Sequence, residues 1–320
     1  MKAAVQERYG IDAIRVQERP VPEPGPDQVR VRIDAASINP ADWHKATGTP
    51  GMIRTSEGFR RPKAEIIGTD AAGTIDAVGT NITDFEIDER VFGKVQGAFA
   101  EFALAPAAGL VRIPDGVPMA DAAGLPIAGV TALQGVEKGD VGGKRVVISG
   151  ASGGVGTYAV QIARAMGAAH ITGVCSGRNT ELVRSLGADD VIDYTTDDWT
   201  TKGPYDVLLD LAGTRRFADV KLALNPGGRW IMIGPDSKDG LLGPIPQIVG
   251  LMARAKFSPI DMSVFVAEET AERLQALADL YSAGSIRTVI DRSYKLDEVV
   301  EAYRYLETRR ARGKVVIAIS

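Results

Sequence analysis

The stretch RVVISGASGGVGTYAVQIA, Arg145 to Ala163, decides how this 320-residue chain folds. Arg145 to Ser149 are a short, mostly β-branched run, cut off by glycines. Beyond them Val160, Ile162, Ala163 and Met166 fall at helical spacing. The order is strand, tight turn, helix. Within the turn, Ala151-x-Gly153-x-x-Gly156 is a dinucleotide-binding fingerprint whose first glycine is replaced by alanine, with Gly150 just ahead of it. Missing side chains let a pyrophosphate approach the backbone along Ala151, Ser152, Gly153, Gly154, Val155 and Gly156 and rest on the N–H groups of the helix start.

The same letters satisfy a second pattern. Gly150-Ala151-Ser152-Gly153-Gly154 is also the Gly-x-Ser-x-Gly elbow of a hydrolase. Its triad would need an acid and then a histidine after the serine. The only later histidine, His170, stands just before the next strand with no acid ahead of it, so the turn is read as a cofactor site. An NAD-binding chain would carry an acid for the ribose hydroxyls at the end of the following strand. That strand, Ile171 to Cys175, runs instead into Ser176-Gly177-Arg178, whose donors and fixed positive charge suit a 2′-phosphate, and NADPH is the expected cofactor.

Working outward, VIDY (Val191–Tyr194), DVLLD (Asp206–Asp210) and WIMIG (Trp230–Gly234) continue an alternation of short apolar strands with helices, as in a parallel sheet covered on both faces. Before about Met119 the texture is different. QVRVRI (Gln28–Ile33), TIDAVG (Thr74–Gly79) and FAEFALA (Phe99–Ala105) alternate with period two between Pro- and Gly-rich breaks, which predicts a β-rich domain. A basic segment, Gly51 to Lys63, reads as a loop able to cover a substrate. After Ala267 come a helical stretch, an amphipathic helix near Leu296–Thr308 and a last apolar strand, KVVIAIS, expected to return to the N-terminal domain.

Composition narrows the function. With 41 acidic and 37 basic residues and no long block of either, nothing draws the chain to nucleic acid or an anionic membrane, and a small-molecule partner is expected. The single cysteine, Cys175, excludes an internal disulfide framework and any multi-cysteine metal site. The longest uncharged stretch, Val146 to Ala163, is broken by four glycines and does not read as a membrane span. The N-terminus lacks the apolar core of a signal peptide, so a cytoplasmic location is expected.

The chain resembles the medium-chain dehydrogenase/reductase superfamily, in its zinc-independent, quinone-oxidoreductase-like branch that includes zeta-crystallin. The resemblance rests on SINPADWHKATG (Ser37–Gly48), IIGTDAAGTIDAVG (Ile66–Gly79), AGVTALQG (Ala128–Gly135), GASGGVG (Gly150–Gly156), LGADDVIDY (Leu186–Tyr194) and GKVVI (Gly313–Ile317). It implies an α/β protein in which a doubly wound Rossmann domain, 119–266, is inserted in a GroES-like β-rich catalytic domain, 1–118 with 267–320, with a cleft between them for nicotinamide and substrate. It places Asn39 and Asp42 near nicotinamide and substrate as the catalytic pair, and Thr131 near the carboxamide. It also puts Tyr194 beside the adenosine phosphate and makes Lys314 a cationic cofactor contact. Read without the resemblance, Asn39 and Asp42 are a turn that starts a helix.

Zinc-dependent members use a cysteine where this chain has Asn39 and a histidine where it has Thr69, so no metal is expected. His44 matches a proton-relay histidine, but Ala41 replaces the hydroxyl that would feed it, and it reads as a surface or packing residue. No tyrosine is followed four residues later by lysine, which disfavours a short-chain dehydrogenase. The expected activity is hydride transfer to a quinone or other conjugated carbonyl. The alternatives are an enoyl or 2-alkenal double-bond reductase, and a non-catalytic NADPH-binding protein with a structural or sensing role. The segment KFSPIDMSVFV (Lys256–Val266) resembles one through which relatives join sheets, so a homodimer is expected.

Overall fold

The computed structural model describes residues 1–233 and 242–319. It divides into two compact units, Met1–Val130 with Glu269–Ser320, and Thr131–Glu268. In the first unit β1 (Lys2–Gln6) and β2 (Ile14–Glu18) form an antiparallel ribbon. β3 (Gln28–Ile38) is the organising strand: Val29, Val31 and Ile33 turn inward while Arg30 and Arg32 turn away, the period-two pattern of a half-buried strand. It lies antiparallel to both β4 (Asp70–Val78) and β6 (Phe102–Pro106), and β5 (Arg90–Lys94) joins β4 to β7 (Leu110–Arg112).

Helix α1 (Pro40–Thr47) leaves the end of β3. The segment 51–63 is not loop throughout, since it contains a short helix, α2 (Ile53–Glu57). There the Thr55 and Ser56 hydroxyls donate back to the carbonyls of Met52 and Ile53, at 2.7 and 3.0 Å, and Gly58 at φ 120° ends the turn. After α3 (Met119–Ala123), helix α4 (Pro126–Gly139) carries the chain across the division between units.

The second unit alternates β8 (Arg145–Ser149), α5 (Gly154–Ala165), β9 (His170–Cys175), α6 (Thr180–Ser185), β10 (Asp190–Asp193), β11 (Tyr205–Asp210), α7 (Phe217–Ala223), β12 (Leu224–Met232), α8 (Ile245–Ala255) and β13 (Asp261–Val264). All five pairings are parallel, in the order β10-β9-β8-β11-β12-β13. That is the 3-2-1-4-5-6 order of a dinucleotide-binding fold, and it reverses between β8 and β11. Trp199, Tyr205 and Trp230 anchor the core beside Val147, Leu208 and Met232. Of the expected WIMIG strand, Gly234 lies outside the described residues.

Back in the first unit, α9 (Ala271–Ser282) precedes β14 (Ile290–Lys295), α10 (Val299–Glu307) and β15 (Lys314–Ala318). β15 runs parallel to β14 and antiparallel to β3, so the closing strand does return to the N-terminal sheet. One core joins both ends of the chain: Tyr303, Val315 and Ile317 pack with Val29, Val31 and Phe99. Among the described residues no helix is long and apolar enough to cross a membrane.

Candidate functional site

At the end of β8 the chain turns on Gly150, at φ +85°. This explains why alanine is tolerated at the first fingerprint position. The left-handed backbone conformation falls one residue earlier, on a glycine, while Ala151 is buried and packs toward Gly173 of β9. Gly156 has no such latitude, because a Cβ there would sit 2.1 Å from the Gly150 carbonyl oxygen. Helix α5 therefore starts hard against the turn, at the reversal between β8 and β11, with the N–H groups of its first turn pointing along its axis. On the β11 side of that reversal Asp210 is buried. Burial holds its carboxyl above the usual range against donors from Gly213, Trp230, Ala212 and Ser149.

At the end of β9, Ser176 is half-buried and Gly177 and Arg178 are exposed. Sequence reading passed over two neighbours. The Asp193 carboxylate stands so close that a Cβ on Gly177 would meet its Oδ2 at 2.3 Å, and hydrogen bonds from Thr195 and the Gly177 N–H keep it below its usual pKa. Asn179, 4% exposed, donates from Nδ2 to Ser152 Oγ at 3.0 Å and to Ser176 Oγ at 3.2 Å. Tyr194 is exposed, with its N–H on the Cys175 carbonyl, and Thr131 is half-buried on α4. Cys175 is buried, its thiol pushed up to about 11 chiefly by burial. His170 Nε2 contacts Asp190 at 2.9 Å, and no triad forms around Ser152 among the described residues.

The first unit holds a second cluster. Pro40 opens α1, and Asp42 at the third position accepts from the Asn39 backbone N–H at 2.8 Å, so the pair does start a helix. The same pair is also built into a buried polar network. Asp42 Oδ1 accepts from Thr69 Oγ1 at 2.9 Å; Asn39 Nδ2 donates to Asp70 Oδ2 at 2.9 Å and, more weakly, to Asp42 Oδ2 at 3.4 Å. Lys314, the cation assigned by resemblance to the cofactor, donates to Asn39 Oδ1 at 2.5 Å. Asn39, Asp42, Asp70 and Lys314 are each at most 3% exposed. Asp70 Oδ2 also takes the Ile127 N–H at 3.1 Å, while its Oδ1 has no partner.

One buried lysine thus faces two buried carboxylates, with Glu269 and the Tyr303 hydroxyl nearby. Burial pushes Asp70 up, to about 7, although Lys314 opposes the shift. Burial also raises Asp42 and lowers Lys314. Near neutral pH the cluster can hold or release one proton. Because both hydrogens of the Asn39 amide already point at carboxylates, Asn39 orders this network; in this geometry it has no N–H left for a substrate oxygen. His44 sits outside the network, with Nδ1 2.5 Å from the Thr49 carbonyl oxygen and its ring edge-on to Trp43.

The cluster does not fit zinc. Its groups are an amide, a hydroxyl, two carboxylates and an ammonium; of the usual zinc ligands, thiolate, imidazole and carboxylate, only the two carboxylates are present, and the ammonium already supplies the positive charge. Among the described residues no group of three or more His, Cys, Asp or Glu could hold a metal ion. The glycine turn does fit a dinucleotide: the close approach at Gly156 leaves room for no side chain, and a buried carboxamide faces two serine hydroxyls beside a helix start.

Residues 25–115 match the family description "Alcohol dehydrogenase GroES-like domain" and residues 186–317 match "Zinc-binding dehydrogenase". The chain is 33% identical over 324 residues to the chloroplast envelope quinone oxidoreductase homolog of Arabidopsis thaliana, covering 96% of this chain and 94% of that one. It is 33% identical over 322 residues to the trans-enoyl reductase pgmF of Aspergillus terreus, covering 92% and 87%. Among solved structures, the quinone oxidoreductase from Coxiella burnetii superposes with a TM-score of 0.88 at 25% identity, covering 100% of this chain and 99% of that one.

Proposed function

This chain belongs to the medium-chain dehydrogenase/reductase superfamily, in its quinone-oxidoreductase-like branch, and from that premise we propose that it is a zinc-independent, NADPH-dependent reductase of quinones or other conjugated carbonyl compounds. A bound nicotinamide would supply the hydride. The Gly150–Gly156 turn and the N-terminus of α5 hold the pyrophosphate, and Ser176 and Arg178 take the 2′-phosphate. Thr131 and Tyr194 are the further cofactor contacts the reading assigns. In the first unit Asn39, Asp42, Asp70 and Lys314 form one charged block whose proton exchanges near neutrality.

The observation that carries the choice of acceptor is Lys314 donating to Asn39 inside that block. A buried ammonium polarises a bound oxygen far less than a Lewis-acid metal in contact with it. The acceptor must therefore be electron-poor on its own account, as a quinone or enone is, and must leave a delocalised anion that solvent can protonate. A conjugated C=C bond meets the same requirement. The likeness to a trans-enoyl reductase favours that second reading.

The test is NADPH oxidation over a panel of quinones, enones and saturated aldehydes, with and without prior chelation. Conjugated acceptors should turn over much faster than saturated ones, and chelation should leave the rate intact. One zinc per chain whose removal abolishes activity would overturn the reading, as would efficient alcohol oxidation. NADPH binding with no turnover of any acceptor would leave a sensing role instead. Arg178→Ala should narrow the gap between NADPH and NADH affinity by roughly 1–3 kcal/mol.

We also propose a cytoplasmic homodimer. β13 ends its sheet with one edge unpaired among the described residues, and α8 beside it exposes Val249 and Met252, with Phe257 at 88% and Val266 at 90% exposure. Sedimentation equilibrium should give twice the chain mass, and a monomer at micromolar concentration would remove this part of the proposal.

A further inference from the structure

Asn179 closes a short turn, Gly177–Asn179, and belongs to no element that a cofactor fingerprint reads. Its side chain is buried, yet Oδ1 has no hydrogen-bond partner, while Nδ2 reaches a serine on each side. Ser152 lies in the glycine turn after β8, and Ser176 directly after β9. A hydroxyl carries one proton and two lone pairs. Where each serine accepts an N–H from Asn179, its own proton stays available to an anion. Were the carbonyl turned to the serines, both protons would be spent on it.

We propose that Asn179 is a positioning residue for cofactor specificity: its amide spans Ser152 and Ser176 and holds both hydroxyls as donors to the phosphate groups of a 2′-phosphorylated dinucleotide. The inference rests on the NADPH reading above. It adds a residue that touches neither phosphate through its own donors, and it couples two phosphate sites that the sequence separates. The demand on Asn179 is sharpened by Asp193, whose carboxylate lies against Gly177 of the same turn and repels a phosphate. Donors must outweigh that charge.

Asn179→Asp keeps the shape and reverses the hydrogen bonding, since a carboxylate beside the serines consumes their protons. Dissociation constants for NADPH, NADH and adenosine 2′,5′-bisphosphate are measured by calorimetry on the full chain, alongside the thermal midpoint of each variant. Asn179→Asp should weaken NADPH and the bisphosphate by roughly 10–100-fold, NADH by less, with a melt close to wild type. Asn179→Ala, which frees the serines without reversing them, should lose only a few-fold in the NADPH to NADH ratio and serves if the aspartate variant does not fold. Unchanged affinities in both variants overturn the inference. A wild type with no preference for NADPH, in which Asn179→Asp still weakens both dinucleotides, overturns the NADPH reading but leaves Asn179 as the bridge to the pyrophosphate.

Discussion

In the unit of Asn39 and Lys314 the polar side chains turn on one another: Lys314 gives to Asn39, Asn39 to Asp70 and Asp42, and Thr69 to Asp42. Around Gly150–Gly156 the N–H groups of Gly150, Ala151 and Gly153 are bonded to backbone carbonyls, and the open donors are side-chain hydroxyls. The hydroxyls of Ser152 and Ser176 accept from Asn179 and donate to no partner among the described residues, and Gly156 is fixed by a 2.1 Å approach to backbone. The difference separates two ways of handling charge away from water. A closed network balances its own ions and gains from being undisturbed. In the open one the serine oxygens have accepted from Asn179 while their protons have no partner among the described residues, a state that an anion or water completes.

The closed network breaks most severely at its cation. Lys314→Met leaves Asp42 and Asp70 buried without the ammonium that is hydrogen-bonded into the network, and should destabilise the fold by about 3–5 kcal/mol in urea denaturation. Combining it with Asp70→Asn removes one of the two stranded charges and should recover a substantial part of that loss. Equal destabilisation in the single and double variants would show that Lys314 acts through packing rather than through charge.

The sequence was most legible where structure is local. RVVIS became β8 residue for residue, the glycine turn opened α5, and KVVIAIS returned to β3, because strand period and turn chemistry are carried by neighbours in the chain. The Asn39–Asp42 pair was also found, as part of a helix start. What could not be read is what these residues touch. Lys314 lies 275 positions from Asn39, and Asp70 lies 31 positions from it, so their meeting depends on β15 and β4 both flanking β3. Asn179 was hidden for a related reason. The fingerprint looks for an acid at the end of β9, whereas the bridge is an amide one turn later that reaches back 27 positions. In the sequence Asn179 is only a polar residue shortly after Ser176, and its burial between two serines is visible in the structure alone.

A smaller effect tests whether the closed network stores a proton. An aspartate in the unfolded chain titrates near ~3.9, whereas burial raises Asp70 in the fold to about 7, with Asp42 and Glu269 adding to the shift and Lys314 and Asn39 opposing it. Between those values the folded protein binds a proton that the unfolded chain has released. The stability this confers is fully present below the unfolded pKa and is lost as pH rises through the folded one. Asp42 shifts in the same direction. Asp189, Asp193 and Asp198 are lowered, so their contribution is present above the unfolded pKa and is lost only as pH falls through their folded values. Asp210 in the second unit is raised as well, so in the range from pH 5 to 8 the difference between wild type and Asp70→Asn, rather than the wild-type slope alone, reports the buried cluster. Wild-type stability should fall across that range, with a slope of at most about 1.4 kcal/mol per pH unit for one such group, and level off above neutrality. Asp70→Asn carries no titratable proton and should be visibly flatter over the same range. Parallel pH profiles for the two proteins in urea denaturation would show that Asp70 takes up no proton over this range and that the network does not store one.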